Sequence, residues 1–483
     1  MKGMFKLEKK YNVALVGLGP HAKRVYMHFL KNLGVKPKLI FDLESQRIEI
    51  EKYLEKEKIE SKIVIIPDSE RDLSQFSEAT ENKIKSELTD KKITHVIIST
   101  EPLSHLVYCN ICLDLQLNIL LDKPIAAIAD VSTSIENAEK LLHIQKKLVE
   151  RYEKIKMNTK FIIQVQRRWH PGYKYIFEKL KIEMAKYSIP ITNIEVYHCD
   201  GKWHMPSEYP KLVNHPYKHG YGKLMHSGYH FVDLLTQLVS LNNKYTHHGH
   251  DKVTVYSNFT RPSDVIFQIN DESRNKLFKS TLFEKKASDI DLSKYGEVDV
   301  SSSIKFTKGA NIVTIAQLNL LQTGFSRRGW MCLPKDAYKG NGRVRHERIN
   351  IQIGPIMNIQ VHSYQAYEIK DRDIYGKNDV GSVEHFEIHI FRNTDLIGGV
   401  PHEKINISDL YDKKHISDFI GYNEQARKKA VEEFLFDNDK KTSSIEDHND
   451  SVQLLSAIYK TLSRDYLGED PIWEYNKKNS NIF

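Results

Sequence analysis

The feature that most constrains this chain is Gly17-Leu18-Gly19-Pro20-His21-Ala22, set between a short apolar run at 12–16 and a helical pattern from Ala22 to about residue 33. A strand that ends on glycine and turns at once into a helix has few structural uses. Gly17 permits the tight turn, Gly19 lets the backbone approach a pyrophosphate, and Ala22 allows close helix–strand packing. The first helical turn, with Pro20 and His21, offers unbonded N–H groups and the positive end of the helix dipole to an anion. Asp42 ends the next apolar run, 38–41, at the spacing where an acid binds adenosine ribose hydroxyls. This register predicts a dinucleotide site on a parallel sheet. Asp42 favours NAD, because a carboxylate repels a 2′-phosphate, while Arg47 and Gln46 leave NADP open.

The pattern continues downstream. Apolar runs at 63–66, 93–99 and 118–121 alternate with helical stretches at 45–58 and 104–115, and a longer helix over 132–154 leads to a strand at 161–165. Strands and helices alternating at this spacing predict a doubly wound parallel α/β sheet. From about residue 191 the character changes. Segments 252–258, 312–320, 349–353 and 385–391 alternate apolar and polar residues, as strands of an open, mainly antiparallel sheet with one wetter face do. The polar stretches 261–303 and 393–416 read as insertions, and 452–462 as an amphipathic helix. The expected organisation is a Rossmann domain over 1–165 and an α+β substrate and oligomerisation domain over 166–444. A C-terminal helix and tail, 445–483, is expected to pack back on the first domain.

Lysine and arginine number 71 against 63 aspartates and glutamates, a net charge of +8 without a dominant block of one sign. That diffuse balance argues against a nucleic-acid partner. Four cysteines are too few and too scattered for a disulfide framework and fit a reducing, cytoplasmic setting. Cys109 and Cys112 read as small apolar residues of one helix. No run of 18 apolar residues and no signal-peptide pattern is visible, so no membrane association is expected.

Four further motifs follow in order. Ser99-Thr100-Glu101-Pro102 with His105 resembles the loop after the fourth strand in the Gfo/Idh/MocA oxidoreductases, the family of glucose–fructose oxidoreductase and inositol dehydrogenase. Asp122-Lys123-Pro124-Ile125 resembles that family's E-K-P motif, and Gln166-Arg167-Arg168-Trp169 with Pro171 its N-R-R-F-x-P. Gly220-Tyr221-Gly222-Lys223-Leu224, then Gly228, His230 and Asp233, resembles G-G-G-x-L-x-D-x-G-x-H-x-x-D. The resemblance covers about residues 13–235 and is thin between 236 and 445.

It implies a Rossmann domain followed by an α/β domain whose open sheet walls the substrate and forms a homo-oligomer interface. It also implies hydride transfer between NAD(P) and a hydroxyl or carbonyl of a sugar, sugar derivative or cyclitol. Thr100, Pro102, His105, Asp122, Lys123 and Arg168 would contact the cofactor, with Lys123 also beside the reacting hydroxyl. His230 would be the general acid/base. Alcohol oxidation needs a proton acceptor on the oxygen, and histidine titrates near working pH. A lysine can stabilise the developing negative charge.

One departure stands out: His226 occupies the place of the family carboxylate, and an imidazole supplies no fixed negative charge there. His226 and His230, four apart, also match metal-ligand spacing, but no acid or cysteine in the motif completes a site, and no metal is expected. Trp203 and the loop Thr323-Gly324-Phe325-Ser326-Arg327-Arg328-Gly329-Trp330 are candidate substrate contacts, with Arg327 or Arg328 forking onto an anionic group. Two alternatives remain open at this point: an NAD-dependent glycosidase-type enzyme, and a cofactor-binding regulatory protein without catalysis.

Overall fold

The computed structural model describes residues 11–213, 215–278, 291–327, 343–366, 374, 376–411, 421–437 and 441–477. The chain divides into two compact units. The first takes the residues up to Ala127, then His143–Trp169 and Asn423–Asn449. The second takes Ile128–Leu142, His170–Tyr422 and the chain from Asp450 onward.

Among the described residues six strands build the first unit: β1 Val13–Val16, β2 Leu39–Leu43, β3 Lys62–Ile66, β4 His95–Ile98, β5 Asn118–Asp122 and β6 Phe161–Gln164. All pair in parallel, in the order β3-β2-β1-β4-β5-β6. β1, β4 and β6 are buried at every position, as strands covered on both faces must be. Each such Val, Ile or Leu contributes about 1.5–3 kcal/mol of transfer free energy. The order reverses between β1 and β4, which opens a crevice at the carboxyl ends of those strands. Cys109 and Cys112 are buried in the helix His105–Asp114, as their spacing predicts.

The segment Asn423–Asn449 completes this unit from far along the chain. Ile163 N–H donates to Ser443 O at 2.9 Å, and Trp169 Nε1 donates to Glu433 Oε2 at 2.8 Å. Lys160 Nζ, almost wholly buried, donates to the carbonyls of Glu433 (2.8 Å) and Phe434 (3.1 Å) at a helix end. The 445–483 region therefore divides: residues to Asn449 lie in the first unit, and those from Asp450 in the second.

Among the described residues the second unit holds nine strands. They are β7 Ile191–Cys199, β8 Lys252–Thr260, β9 Asp299–Lys308, β10 Asn311–Leu321, β11 Arg345–Ile353, β12 Met357–Gln365, β13 Glu387–Arg392, β14 His402–Asn406 and β15 Ile472–Asn476. Their order is β14-β13-β12-β11-β7-β10-β9-β8-β15, antiparallel except for the parallel pair β7–β10. One face buries Ile194, Val196, Ala316, Leu318, Ile349, Ile351, Ile359 and Val361, and the helix Tyr229–Thr246 packs against β7 and β10. The stretches expected as insertions carry regular structure, including the helices Pro262–Gln268 and Asp271–Phe278. β9 begins at Asp299 within 261–303, and β14 lies within 393–416 as an edge strand.

The other face is polar and rich in histidine. Glu387 accepts from His385 Nε2 and His389 Nε2, each at 3.0 Å, and pairs with Lys404 Nζ at 3.1 Å. Burial pushes the carboxyl up, but the donors outweigh it and bring its pKa down to about 2. A depressed carboxylate pKa gives stability that is held above the unfolded value near 4.5 and lost as pH falls toward 2. Glu387→Gln removes that titration, so the melting-temperature gap between wild type and variant should narrow across this window. A gap independent of pH would refute the assignment.

Candidate functional site

In the first unit the glycine turn is forced by its surroundings. Gly17 has φ of +84°, and a Cβ there would lie 2.6 Å from Ser99 O and 2.8 Å from Thr100 Cγ2. Only glycine fits both the left-handed backbone and the approach of the β4 loop. Around Gly19 the opposite holds: among the described residues, no atom beyond the glycine and its two chain neighbours lies within 4 Å of where a Cβ would stand. Open space over the second glycine, at a helix start with Pro20 in its first turn, is the cradle a pyrophosphate needs. Ala22 is fully buried against the sheet.

Asp42 fixes this turn. Its Oδ2 accepts from Leu18 N–H at 2.7 Å and its Oδ1 from Leu43 N–H at 2.8 Å. Burial raises the carboxyl above its usual range, and these two N–H groups offset only part of that rise. Both oxygens keep a further lone pair for a ribose hydroxyl. Arg47 lies exposed on the helix surface and bonds Glu51 Oε1 at 2.9 Å.

At the end of β5, Asp122 Oδ2 lies 3.0 Å from Nε2 of His21. Burial would raise Asp122, but His21, with Lys123 and Arg427, holds it well below the usual carboxylate range. Burial lowers His21, so the pair stands as a carboxylate beside a ring that resists further protonation. Asp122 Oδ1 also accepts Lys123 N–H at 3.1 Å. Lys123 and Thr100 are partly exposed, and Pro102 opens the short helix Pro102–Ser104 after β4.

Two residues expected at the cofactor also hold backbone carbonyls of this unit. His105 is fully buried, its Nδ1 2.8 Å from Pro124 O and its Nε2 3.3 Å from Thr100 O. It braces the loops after β4 and β5. Arg168 donates to Asp447 O at 3.1 Å and Thr442 O at 3.4 Å, tying the Asn423–Asn449 segment to the strand ends.

In the second unit a five-residue π-turn, Leu224–Gly228, precedes the helix Tyr229–Thr246. Such turns interrupt the regular hydrogen-bond ladder and recur at functional sites. The turn carries His226, and His230 follows in the helix's first turn; each is about 5% exposed. The His226 ring stacks on His215 at 4.7 Å and meets Tyr217 and Tyr221 edge-on at 5.6 Å. Among the described residues no His/Cys/Asp/Glu group has metal-holding geometry. Asp233 is structural, accepting Ser451 Oγ at 2.9 Å and Gln237 Nε2 at 2.7 Å.

Trp203 is half-buried after β7. Arg327 is exposed and donates to Ala366 O at 2.7 Å, whereas Arg328 lies outside the described residues.

Several buried charges carry no expectation from sequence. Lys223 Nζ, fully buried, pairs with Asp200 Oδ2 at 2.6 Å, and Glu297 Oε1 accepts Leu224 N–H at 2.9 Å. Near the glycine turn, Arg24 pairs with Glu424 at 2.7 Å. The one local signal was a lysine inside an otherwise apolar helix start, at Lys223.

No protein-family model and no curated protein matches the chain. Solved structures do. The WlbA dehydrogenase of Bordetella pertussis is 12% identical, covers 98% of this chain and 99% of its own, and superposes with a TM-score of 0.55. An oxidoreductase of Agrobacterium radiobacter is 13% identical, with coverage of 96% and 98% and a TM-score of 0.55. The aldose-aldose oxidoreductase of Caulobacter crescentus is 11% identical, with coverage of 97% and 100% and a TM-score of 0.54. The chain thus has the two-domain fold of the Gfo/Idh/MocA-type oxidoreductases, a parallel Rossmann sheet followed by a mainly antiparallel one.

The two glycines give a paired prediction. Gly19→Val fills open space and should abolish NAD binding while leaving the melting temperature unchanged. Gly17→Ala should instead destabilise the fold, by about 1–2 kcal/mol from the left-handed backbone alone, with the clash at Ser99 adding to it. Calorimetric titration with NAD and thermal melting separate the two, and unaltered affinity in Gly19→Val would remove the site.

Proposed function

We propose that this protein is an NAD(P)-dependent oxidoreductase acting on a hydroxyl or carbonyl of a sugar-like substrate. The observation that carries the reading is the open space over Gly19, beside a turn held by Asp42 where the strand order reverses. Gly17, Gly19, Pro20, His21 and Ala22 would hold the pyrophosphate, and Asp42 the adenosine ribose. NAD is the preferred form, since Asp42 disfavours a 2′-phosphate and Arg47 is paired with Glu51. The cofactor, when bound, supplies a nicotinamide carbon that accepts or returns the hydride. Among structures of the same fold, the WlbA dehydrogenase is in complex with NADH and UDP-GlcNAcA, and the Agrobacterium radiobacter oxidoreductase with NAD+ and L-tartaric acid.

The chain's own groups then act on the substrate oxygen. In the oxidative direction Lys123 donates a hydrogen bond to the reacting hydroxyl and steadies the negative charge that develops on it. His230 accepts the hydroxyl proton and returns it in the reverse direction. His226, held in its aromatic box, is the secondary member. Trp203, Arg327 and Arg328 are proposed substrate contacts.

A second copy of the chain is proposed to cover the outward face of the nine-stranded sheet. Tyr256, Ile315 and Phe391 stand there at about 40% exposure. Ile315→Glu should shift the sedimentation coefficient toward the monomer, and an unchanged value would remove this interface.

Activity is read as a change in reduced-nicotinamide absorbance across neutral, acidic and nucleotide-linked sugars. His230→Ala should lower kcat by roughly 10²–10⁴-fold, with NAD affinity retained. Lys123→Met should cost a similar factor, and the double variant far less than the product, because both groups serve one transition state. Full activity in both single variants would sink the catalytic assignment.

A further inference from the structure

The strand β7 ends in a buried cluster that leans on the π-turn. Asp200, directly after the strand, is 4% exposed. Its Oδ2 accepts Lys223 Nζ at 2.6 Å and Ser227 Oγ at 2.7 Å, and its Oδ1 pairs with Arg343. Lys223 Nζ also lies 2.9 Å from Nδ1 of His198, whose ring stacks on Phe231 at 4.3 Å. Lys223, Ser227 and Phe231 are spaced four apart, so one face of the turn and its following helix is seated on His198 and Asp200.

We propose that Asp200 is a positioning residue for the reaction: it clamps the π-turn from the strand end and so sets where the rings of His226 and His230 stand. This rests on the role given to His230 above. Lys223 and Ser227 flank His226 in sequence, and one carboxylate oxygen holds both. A π-turn lacks the regular i→i+4 ladder, so its shape needs fixing from outside. The anchor itself is stiff. β7 is paired on both edges, Asp200 N–H donates to Leu321 O at 2.9 Å, and Lys202 N–H donates to Gln322 O at 2.9 Å. The charge on Asp200 is required as well, because a fully buried ammonium is tolerated only beside a counter-charge. Glu297 closes the opposite end, its carboxylate accepting Leu224 N–H and its backbone carbonyl accepting Lys223 N–H, both at 2.9 Å.

The test compares full-length wild type with Asp200→Asn, Asp200→Glu and Ser227→Ala. Ser227→Ala removes one clamp bond and leaves the charges balanced, so it carries the test should Asp200→Asn fail to fold. The first readout is the ring nitrogen resonances of His226 and His230, assigned from His226→Gln and His230→Gln, with His389 on the sheet as an internal control. We expect the His226 and His230 signals to move in Asp200→Asn and Ser227→Ala while His389 stays. With a sugar that the protein turns over, kcat should fall roughly 10–100-fold in Asp200→Asn. The fall should be smaller in Ser227→Ala and partly reversed in Asp200→Glu, with KM little changed. Folded variants with unmoved His226 and His230 signals and wild-type kcat overturn the proposal. A fully active His230→Ala would strike the catalytic reading alone, and the ring resonances would still decide whether Asp200 positions the turn.

Discussion

The contact between Gly17 and the carbonyl of Ser99 is the constraint on which the first unit depends. A parallel sheet places all its strand ends on one edge, but only where the order reverses do neighbouring loops part and leave a crevice. At that reversal β1 must turn sharply under the β4 loop, and a Cβ 2.6 Å from a backbone oxygen cannot be accommodated. The Asp42 carboxylate then takes the Leu18 N–H, which fixes the turn to the end of β2. The direction of the following helix, and the position of the open space over Gly19, follow from those two contacts.

Much of this was legible in the sequence because it is local. β1, β2 and β4 are short apolar runs ending in turn residues, and the glycines and Asp42 stand at fixed spacings from them. The wetter sheet was legible in β8, β10 and β13, where buried and more exposed residues alternate over part of each strand. β9 was not, since its inward positions include Ser302, which is buried with its hydroxyl 2.8 Å from that of Ser257. The run Ser301-Ser302-Ser303 interrupts the apolar period of Val300, Ile304 and Phe306 in β9. β14 and β15 are short edge strands whose residues are mostly half-exposed, so solvent sets their composition.

The candidate site divides along the same line. His226 and His230 sit in a motif and could be found there. Asp200 and Glu297 could not, because what gives each meaning is a partner at least 23 residues away in sequence. His105 and Arg168 were legible as motif members, while their actual partners, Pro124 O and the carbonyls of Thr442 and Asp447, were hidden. A motif says that a side chain matters. It leaves open whether the side chain faces a ligand or braces the loop that does.

The segment Asn423–Asn449 has a consequence for the order in which the molecule can be made. Lys160 Nζ and Trp169 Nε1, on buried residues, donate to Glu433 and its neighbours, more than 250 residues later. On a ribosome, the six strands of the first unit emerge long before that segment exists. Until residue 449 has left the exit tunnel, the Lys160 ammonium and the Trp169 indole N–H lack these acceptors, and the part of the sheet that the segment covers stays open to water. The first unit, encoded first, is therefore closed nearly last, and a chain released early would carry its strands without the helix that covers them.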